Sequence, residues 1–263
     1  MFTPYIAFAK KGFLSRSAYR FDHYMGIFNT ILKIFIFWEI YKTLYGGRGE
    51  IDGITMSMVT TNFILSMCLQ EAFFIDDFYL PYHIDTGKIA TELLLPISFK
   101  GRMLANNVGI AAFNLVFHFA PALVVSCLCM GIQPPAGIDT FLLFLLSAVL
   151  GYGVLWSISF AVQMCAFWII NVWSVVTIKN VLVNVLSGTM IPLWFMPDWM
   201  EPVVKFTPFS SIYFTPVQIY LGQLSYGEIV KQFVVSLCWI VVIFGIGNVL
   251  WTKGKKKLVV QGG

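Results

Sequence analysis

The residues that could do chemistry are few and widely separated. Three histidines, His23, His83 and His118, lie far apart, and none belongs to an HExxH motif, a GxSxG motif or a pair of carboxylates. The stretch GGRGE at 46–50 has glycines but lacks the lysine and hydroxyl residue of a phosphate-binding loop. The cysteines fall inside apolar runs without a CxxC pair, which is typical of small core residues. We therefore predict no catalytic, metal or cofactor site in this chain.

Polar side chains inside apolar runs are the next candidates. Lys33 lies about 17 Å along a helix from the start of its run, so it needs a partner, water or a route to the surface. Pairing and a role in transport are both open. Asn114 and His118 are four residues apart and are predicted to share a helix face. That face could line a passage, although interhelical hydrogen bonding is the commoner use of such residues.

The composition places these residues in a lipid bilayer. Of 263 residues, 58% are hydrophobic and 11% are charged, whereas a soluble domain has about 25% charged residues. A membrane span needs about 20 mostly apolar residues. Six segments qualify: 22–45, 55–75, 103–132, 140–168, 171–195 and 229–252. We predict an all-α membrane protein with six transmembrane helices, a single domain over 1–263, lipids as neighbours and no nucleic-acid partner.

The distribution of Lys and Arg predicts the orientation. One side collects Lys10, Lys11, Arg16, Arg20, Lys88, Lys100, Arg102, Lys179, Lys253, Lys255, Lys256 and Lys257. The other side holds Arg48, Lys205, Lys231 and, at the end of a span, Lys42, which is spaced to pair with Glu39. The bias predicts that both termini are cytoplasmic. Asp76, Asp77, His83 and Asp85 then follow the second span, where we expect a solvated surface.

Two further segments are predicted to be helical without crossing the membrane. Residues 1–21 mix apolar and basic side chains, which favours an interfacial helix at the cytoplasmic surface, with a disordered basic tail as the alternative. Prolines crowd into 192–216 and exclude a long straight helix. We expect short broken helices over 196–227, re-entrant on the outer side between spans five and six. There Trp199 and Phe209 are candidates for an outer rim, with interfacial anchoring as the alternative.

The segment between spans two and three is unusually charged. Residues 84–100 read IDTGKIATELLLPISFK. Asp85 or Thr86 is predicted to cap a short helix, and Pro96 is predicted to end it. One face of this helix is apolar and the other is charged. We therefore expect it to contact the membrane domain with one face and a soluble partner with the other.

The order G-x-I-x-x-x-L-L-x-P in this segment resembles the permease subunits of type-2 ATP-binding-cassette (ABC) exporters, in their six-span bacterial branch. Other stretches resemble that branch in the same order. They are RSAYRFDHYMG before span one, FW at Phe37 and Trp38, AFW at 166–168, and LSGTMIPLWFMPDWM followed by TPFSSIYFTPVQIYLG. The resemblance covers nearly the whole chain.

The resemblance implies a non-enzymatic permease subunit of an exporter in a bacterial plasma membrane. It implies a second permease, identical or homologous, and separate cytoplasmic ATPase subunits that bind ATP and Mg. The segment 84–100 would be the cytoplasmic coupling helix that contacts the ATPase, through Gly87, Lys88, Ile89, Glu92, Leu93, Leu94 and Pro96. We expect an amphipathic substrate, such as a drug, peptide or lipid-like molecule, because the inferred pathway is apolar and aromatic. An ATP-independent carrier or channel is the alternative, and it predicts ionisable residues grouped at mid-membrane.

Overall fold

The computed structural model describes residues 3–17 and 20–258, and the described chain is mostly helical. The first helices are α1 (Thr3–Ser17), α2 (Arg20–Tyr45), α3 (Met56–Ala72), α4 (Tyr79–Asp85) and α5 (Ile89–Leu93). The others are α6 (Phe99–Asn114), α7 (Ala120–Met130), α8 (Ile138–Met164), α9 (Trp173–Leu186), α10 (Met200–Phe206), α11 (Phe214–Tyr220) and α12 (Tyr226–Gly254). The antiparallel strands β1 (Glu50–Ile51) and β2 (Ile54–Thr55) join α2 to α3. The remaining residues of the predicted segment 1–21 and domain 1–263 lie outside the described residues.

Within the described chain, three helical segments are long and apolar enough to cross a membrane. They are Phe99–Met130, Ile138–Phe167 and Tyr226–Lys255. The first is continuous because a π-helix, Leu115–Phe119, joins α6 to α7. A helix of about 30 residues is about 45 Å long, which exceeds the hydrocarbon core of about 30 Å. These segments agree with the third, fourth and sixth predicted spans.

The other predicted spans are helical over shorter or more charged stretches. The first, 22–45, coincides with α2, which carries Lys33, Glu39 and Lys42 in its apolar run. The second and fifth correspond to α3, with 17 residues, and α9, with 14 residues. Helices of these lengths rise only about 26 and 21 Å, less than a hydrocarbon core of about 30 Å. The six-span count and the side of the termini stay predictions.

The helix α1 packs lengthwise against α6 and runs in the same direction. Ala9 lies against Gly109, and the ring of Phe13 lies 5.3 Å from the ring of Phe113. A Cβ atom at Gly109 would come within 1.9 Å of the Ala9 carbonyl oxygen, so glycine permits this close approach. The described part of 1–21 is therefore a helix and not a disordered tail. Its position at the membrane surface stays a prediction.

The helix α8 lies at the centre of the bundle, between α11 and α12. Trp156 and Phe160 of α8 stack on each other and pack against Phe244 of α12. Gly151 lets the chain before α11 approach, because a Cβ atom there would lie 2.6 Å from the carbonyl oxygen of Ile212. Burial of large apolar and aromatic side chains at this junction contributes the main stabilisation of the core.

The predicted segment 196–227 is broken, as its prolines indicate. It contains two helices of seven residues each, α10 and α11. Every residue of α11 is buried, whereas Val203 and Phe206 of α10 are exposed. Thus α11 lies inside the bundle against α8 and α3, and α10 lies at its surface. The side of the membrane on which they lie stays a prediction.

Candidate functional site

The segment 84–100 forms a turn, the short helix α5 and a second turn. Gly87 has a φ of +70°, a left-handed conformation that glycine adopts without strain, and it separates α4 from α5. The N-cap residue of α5 is Lys88, and it makes no side-chain capping bond. Asp85 and Thr86 belong to the end of α4, where the Thr86 hydroxyl donates to a backbone carbonyl. The prediction that one of them caps α5 was therefore wrong.

Arg102, in the first turn of α6, holds α5 from the inside of the protein. Its guanidinium donates one hydrogen bond to the carboxylate of Glu92 and another, 2.5 Å long, to the Glu92 backbone carbonyl. The Arg102 side chain is only 1% exposed, and the rings of Phe8 and Phe99 lie within cation–π distance. Glu92 therefore turns toward Arg102 while staying partly exposed, and its contact with the ATPase stays a prediction. Arg102 connects α1, α5 and α6.

The apolar residues of this segment divide between the inside and the outside of the protein. Ile89 is buried and belongs to the main core. Leu94, by contrast, is 83% exposed, and Leu93 is partly exposed. The ammonium of Lys88 lies over the ring of Tyr82 and donates to its hydroxyl at 3.1 Å. Among the apolar residues that the sequence nominates for a partner, Leu94 offers the largest free surface in this conformation, and Ile89 offers almost none.

The turn that holds Pro96 leads directly into α6. Helix α5 ends at Leu93, three residues before Pro96, so it is slightly shorter than the sequence predicts. Ser98 caps α6 by accepting a hydrogen bond from the backbone N–H of Gly101. The two elements are therefore joined by a short connection as well as by Arg102.

A buried ion pair lies just before α4. The Lys179 ammonium of α9 is 2.5 Å from an oxygen of Asp77 and 3.1 Å from the hydroxyl of Ser159 on α8. Asp77 is 8% exposed, so our expectation of a solvated surface was wrong at this residue. Its other carboxylate oxygen has no hydrogen-bond partner among residues 3–17 and 20–258. Burial raises the pKa of the neighbouring Asp76, which accepts a hydrogen bond from a backbone N–H.

The polar residues of the predicted spans have partners on neighbouring helices. Lys33 lies 3.8 Å from the carboxylate of Glu71 on α3. Asn114 donates to the backbone carbonyl of Glu71, while a ring nitrogen of His118 lies 2.5 Å from one of His23 on α2. Asn114 thus contacts α3, and His118 contacts α2. Both make interhelical contacts, which is the structural use that the sequence left open.

A cavity of about 640 Å³ lies between α3, α6, α7 and α8. We call it the apolar cavity, since its walls include Leu69, Phe73, Ala111, Leu115, Phe144 and Tyr152. Its size falls in the range of small-molecule sites, about 300–1,000 Å³. The predicted pathway residues Lys33, Asn114 and His118 do not line it.

The two rim candidates lie in different surroundings. Trp199 is largely exposed at the start of α10, whereas Phe209 packs against the main core. Neither lines the second cavity, about 360 Å³ in volume, which lies between α10, α11 and α12. At the end of α2, the predicted pair of Glu39 and Lys42 is confirmed, with a separation of 3.6 Å.

Sequence comparison decides the family. Residues 27–262 match the sequence model of a family described as ABC-2 family transporter protein. The chain belongs to the ABC-2 transporter family. It is thus a membrane permease component of an ABC transporter, with a transport role and not a catalytic one. No curated protein and no solved structure matches the chain.

The inner contacts of this ABC-2 permease are not evident from its sequence. Arg102 and Lys179 enter the sequence argument only as cations that set the orientation. For Lys179 a signal exists, because it lies within the predicted span 171–195, where a lysine needs a partner. For Arg102 the signal is weaker: Glu92 lies ten residues before it, across a proline turn. Only the folded chain shows that they meet.

Proposed function

We propose that this permease component works with separate cytoplasmic ATPase subunits, which bind ATP and Mg and contact the segment 84–100. The observation that carries the proposal is that α5 is held by the protein on one side and exposed on the other. Leu94 and Lys88 lie at the surface, while Glu92 is held from within by Arg102. A partner that binds the outer side of α5 therefore acts on a helix already fixed to the bundle.

The proposed path of motion runs from α5 into α6. Arg102 holds both the side chain and the backbone of Glu92, so α5 and the first turn of α6 move together. Because α6 continues through the π-helix into α7, a tilt at Arg102 would also move residues on the wall of the apolar cavity, such as Leu115. Movement of an outer segment is thereby converted into a change in cavity shape.

We propose an amphipathic substrate, such as a drug, peptide or lipid-like molecule, and transport out of a bacterial cell across its plasma membrane. The apolar cavity supports the first part of this proposal. Its walls are mostly aliphatic and aromatic, which favours the apolar part of a substrate by removing it from water. Exposed polar groups of the substrate would remain at the edge of the cavity.

A second permease subunit, identical or homologous, and membrane lipids complete the proposed assembly. The helix α12 supports this proposal, because Val230, Val234, Leu237, Val241 and Val249 expose apolar side chains along its length. An apolar face of this extent requires lipid or protein contact. The exposed face thus accommodates both kinds of neighbour.

The test replaces Leu94 with Asp in the full chain and measures insertion, ATPase co-purification and substrate-stimulated ATP hydrolysis on one preparation. A charge at Leu94 would enter the contact with the ATPase, so we expect normal insertion with loss of stimulated hydrolysis. Leu44→Asp is the matched control, because Leu44 is also well exposed but belongs to the last turn of α2 and not to the segment 84–100. It should leave the coupling intact.

Two outcomes would reject the proposal. Full coupled transport by the Leu94→Asp variant would show that the outer side of α5 is not the contact. Failure of the wild-type chain to bind any ATPase would favour the ATP-independent carrier or channel.

A further inference from the structure

The cavity between α10, α11 and α12 has a different chemistry from the apolar cavity. It encloses about 360 Å³. Polar side chains on its wall are Lys205, Thr215, Gln218, Gln223, Glu228, Lys231 and Gln232. The proposed coupling path through α5 and α6 uses none of them. We call this space the polar cavity.

Gln218 provides the most direct indication of a ligand. It lies on the buried helix α11, is 3% exposed and lines the polar cavity. Its side-chain Nε2 has no hydrogen-bond partner among the described residues, and the same is true of the Oε1 atom of Gln232. Buried polar groups are normally paired, because an unpaired donor or acceptor loses its bonds to water without replacement. The wall therefore offers one unused donor and one unused acceptor.

The charged residues of the wall favour an anion. Lys205 and Lys231 each contribute a positive charge, and Glu228 contributes a negative one. The Glu228 carboxylate is already engaged, because Oε2 accepts from the backbone N–H and the hydroxyl of Ser225 at 2.8 and 2.7 Å. Lys205 also pairs with Glu201 at 2.7 Å, within α10. Lys231 lies on the exposed side of α12.

We propose that the polar cavity binds an anionic phosphate or carboxylate group on a molecule that also carries a hydroxyl or amine donor. The anion accepts the unused N–H of Gln218 and pairs with Lys231, while the ligand's donor binds the free oxygen of Gln232. Charge-assisted bonds of this kind are stronger than those between neutral groups. A lipid headgroup and a small soluble metabolite share this chemistry. The site goes beyond the proposed coupling function and does not require the ATPase.

The test uses the purified full chain in an uncharged detergent, with sn-glycerol 3-phosphate as the probe. This compound combines a phosphate with hydroxyl donors and carries no acyl chain. We expect saturable binding in calorimetry and a Tm that rises with probe concentration, because a ligand that binds only the folded state stabilises it. Choline chloride, a cation at the same ionic strength, should give neither effect.

Two variants locate the binding. Gln218→Met keeps the side-chain length but removes the donor, and Lys231→Gln removes a charge at an exposed position. Each should raise the Kd for glycerol 3-phosphate roughly tenfold. Lys42→Gln is the matched control, because Lys42 is an exposed lysine on α2, where it pairs with Glu39. If Gln218→Met does not fold, Lys231→Gln alone decides the test.

A second arm separates the two sources of the ligand. Dihexanoyl phosphatidylglycerol, kept below its micellar concentration, presents a glycerol phosphate as a diester, with short acyl chains. Tighter binding of this lipid, again weakened by Lys231→Gln, would identify a headgroup site. Binding of glycerol 3-phosphate alone would identify a site for a soluble anion. Absence of binding by both probes, or binding unchanged in both variants, would overturn the proposal.

Discussion

The ammonium of Lys179 lies 2.5 Å from the carboxylate of Asp77, although 102 residues separate them in the chain. The contact ties α9 to the turn before α4, and both side chains are buried. A buried ion pair is costly to form, but it is costlier to break when only one partner is removed. The pair therefore fixes the turn that leads into α4, a short helix that Leu80 also anchors by donating its backbone N–H to Gln163.

We predict that Asp77→Asn destabilises the protein strongly. The substitution leaves the buried ammonium of Lys179 without a counter-charge, and such changes typically cost about 3–5 kcal/mol. Thermal unfolding of the purified variant in detergent measures the effect. The double variant Asp77→Asn with Lys179→Met should recover part of the loss, because it removes both charges. A wild-type Tm for Asp77→Asn alone would contradict this prediction.

Replacement of the neighbouring Asp76 should stabilise the protein, whereas replacement of Asp77 destabilises it. Burial raises the pKa of Asp76 in the folded protein above its value of 3.8 in the unfolded chain, and the charge of Asp77 raises it further. The folded state therefore binds more protons than the unfolded state between these two pKa values, so stability falls as pH rises through that interval. Asp76→Asn should abolish this contribution and raise the Tm at neutral pH. Unfolding curves from pH 4 to 8, compared with wild type, test both statements.

The contact of Arg102 with Glu92 should respond unequally to loss of either partner. Glu92→Leu leaves a fully buried guanidinium without its carboxylate, at a cost of about 3–5 kcal/mol. Arg102→Met should cost less, because Glu92 is partly exposed and can turn toward water. A double-mutant cycle measures the coupling energy between them. All three variants should lose stimulated ATP hydrolysis if this contact transmits motion, and equal stability of the two single variants would contradict the asymmetry.

The substitution Gly109→Ala should push α1 away from α6. In Gly109→Ala the new Cβ would lie 1.9 Å from the carbonyl oxygen of Ala9, so the backbones must move apart. Overpacking of this kind typically costs about 1–3 kcal/mol. Gly245→Ala on α12 is the control, because its Cβ would meet no described atom within 4 Å, and it should be neutral or stabilising. The Tm values of the two variants, together with proteolysis of α1, give the comparison.

Local sequence patterns predict much of the helical framework but few of the contacts within it. The long apolar runs predict α8 and α12, the prolines predict the breaks around α10, and spacing predicts the pair of Glu39 and Lys42. Each of these depends on residues close together in the chain. The inward turn of Glu92 depends instead on Arg102 and on packing that local spacing does not specify.

The same limit applies to burial in α5 and at the residue that follows it. Ile89 and Leu94 are both apolar residues of one short segment, yet the first is buried and the second is exposed. Five residues of helix contain too little periodicity to distinguish them. Their environments are set by the positions of α4 and α6, which only the tertiary structure defines.

The π-helix between α6 and α7 determines how far α7 is rotated about the helix axis relative to α6. Each residue of a regular α-helix turns the chain by about 100°. Deleting one residue from Leu115–Phe119 would allow regular α-helical bonding and rotate α7 by about that angle relative to α6. Leu123 and Cys127, which now line the apolar cavity together with Leu115, would then point away from it. The π-helical turn thus keeps residues of both α6 and α7 facing the apolar cavity.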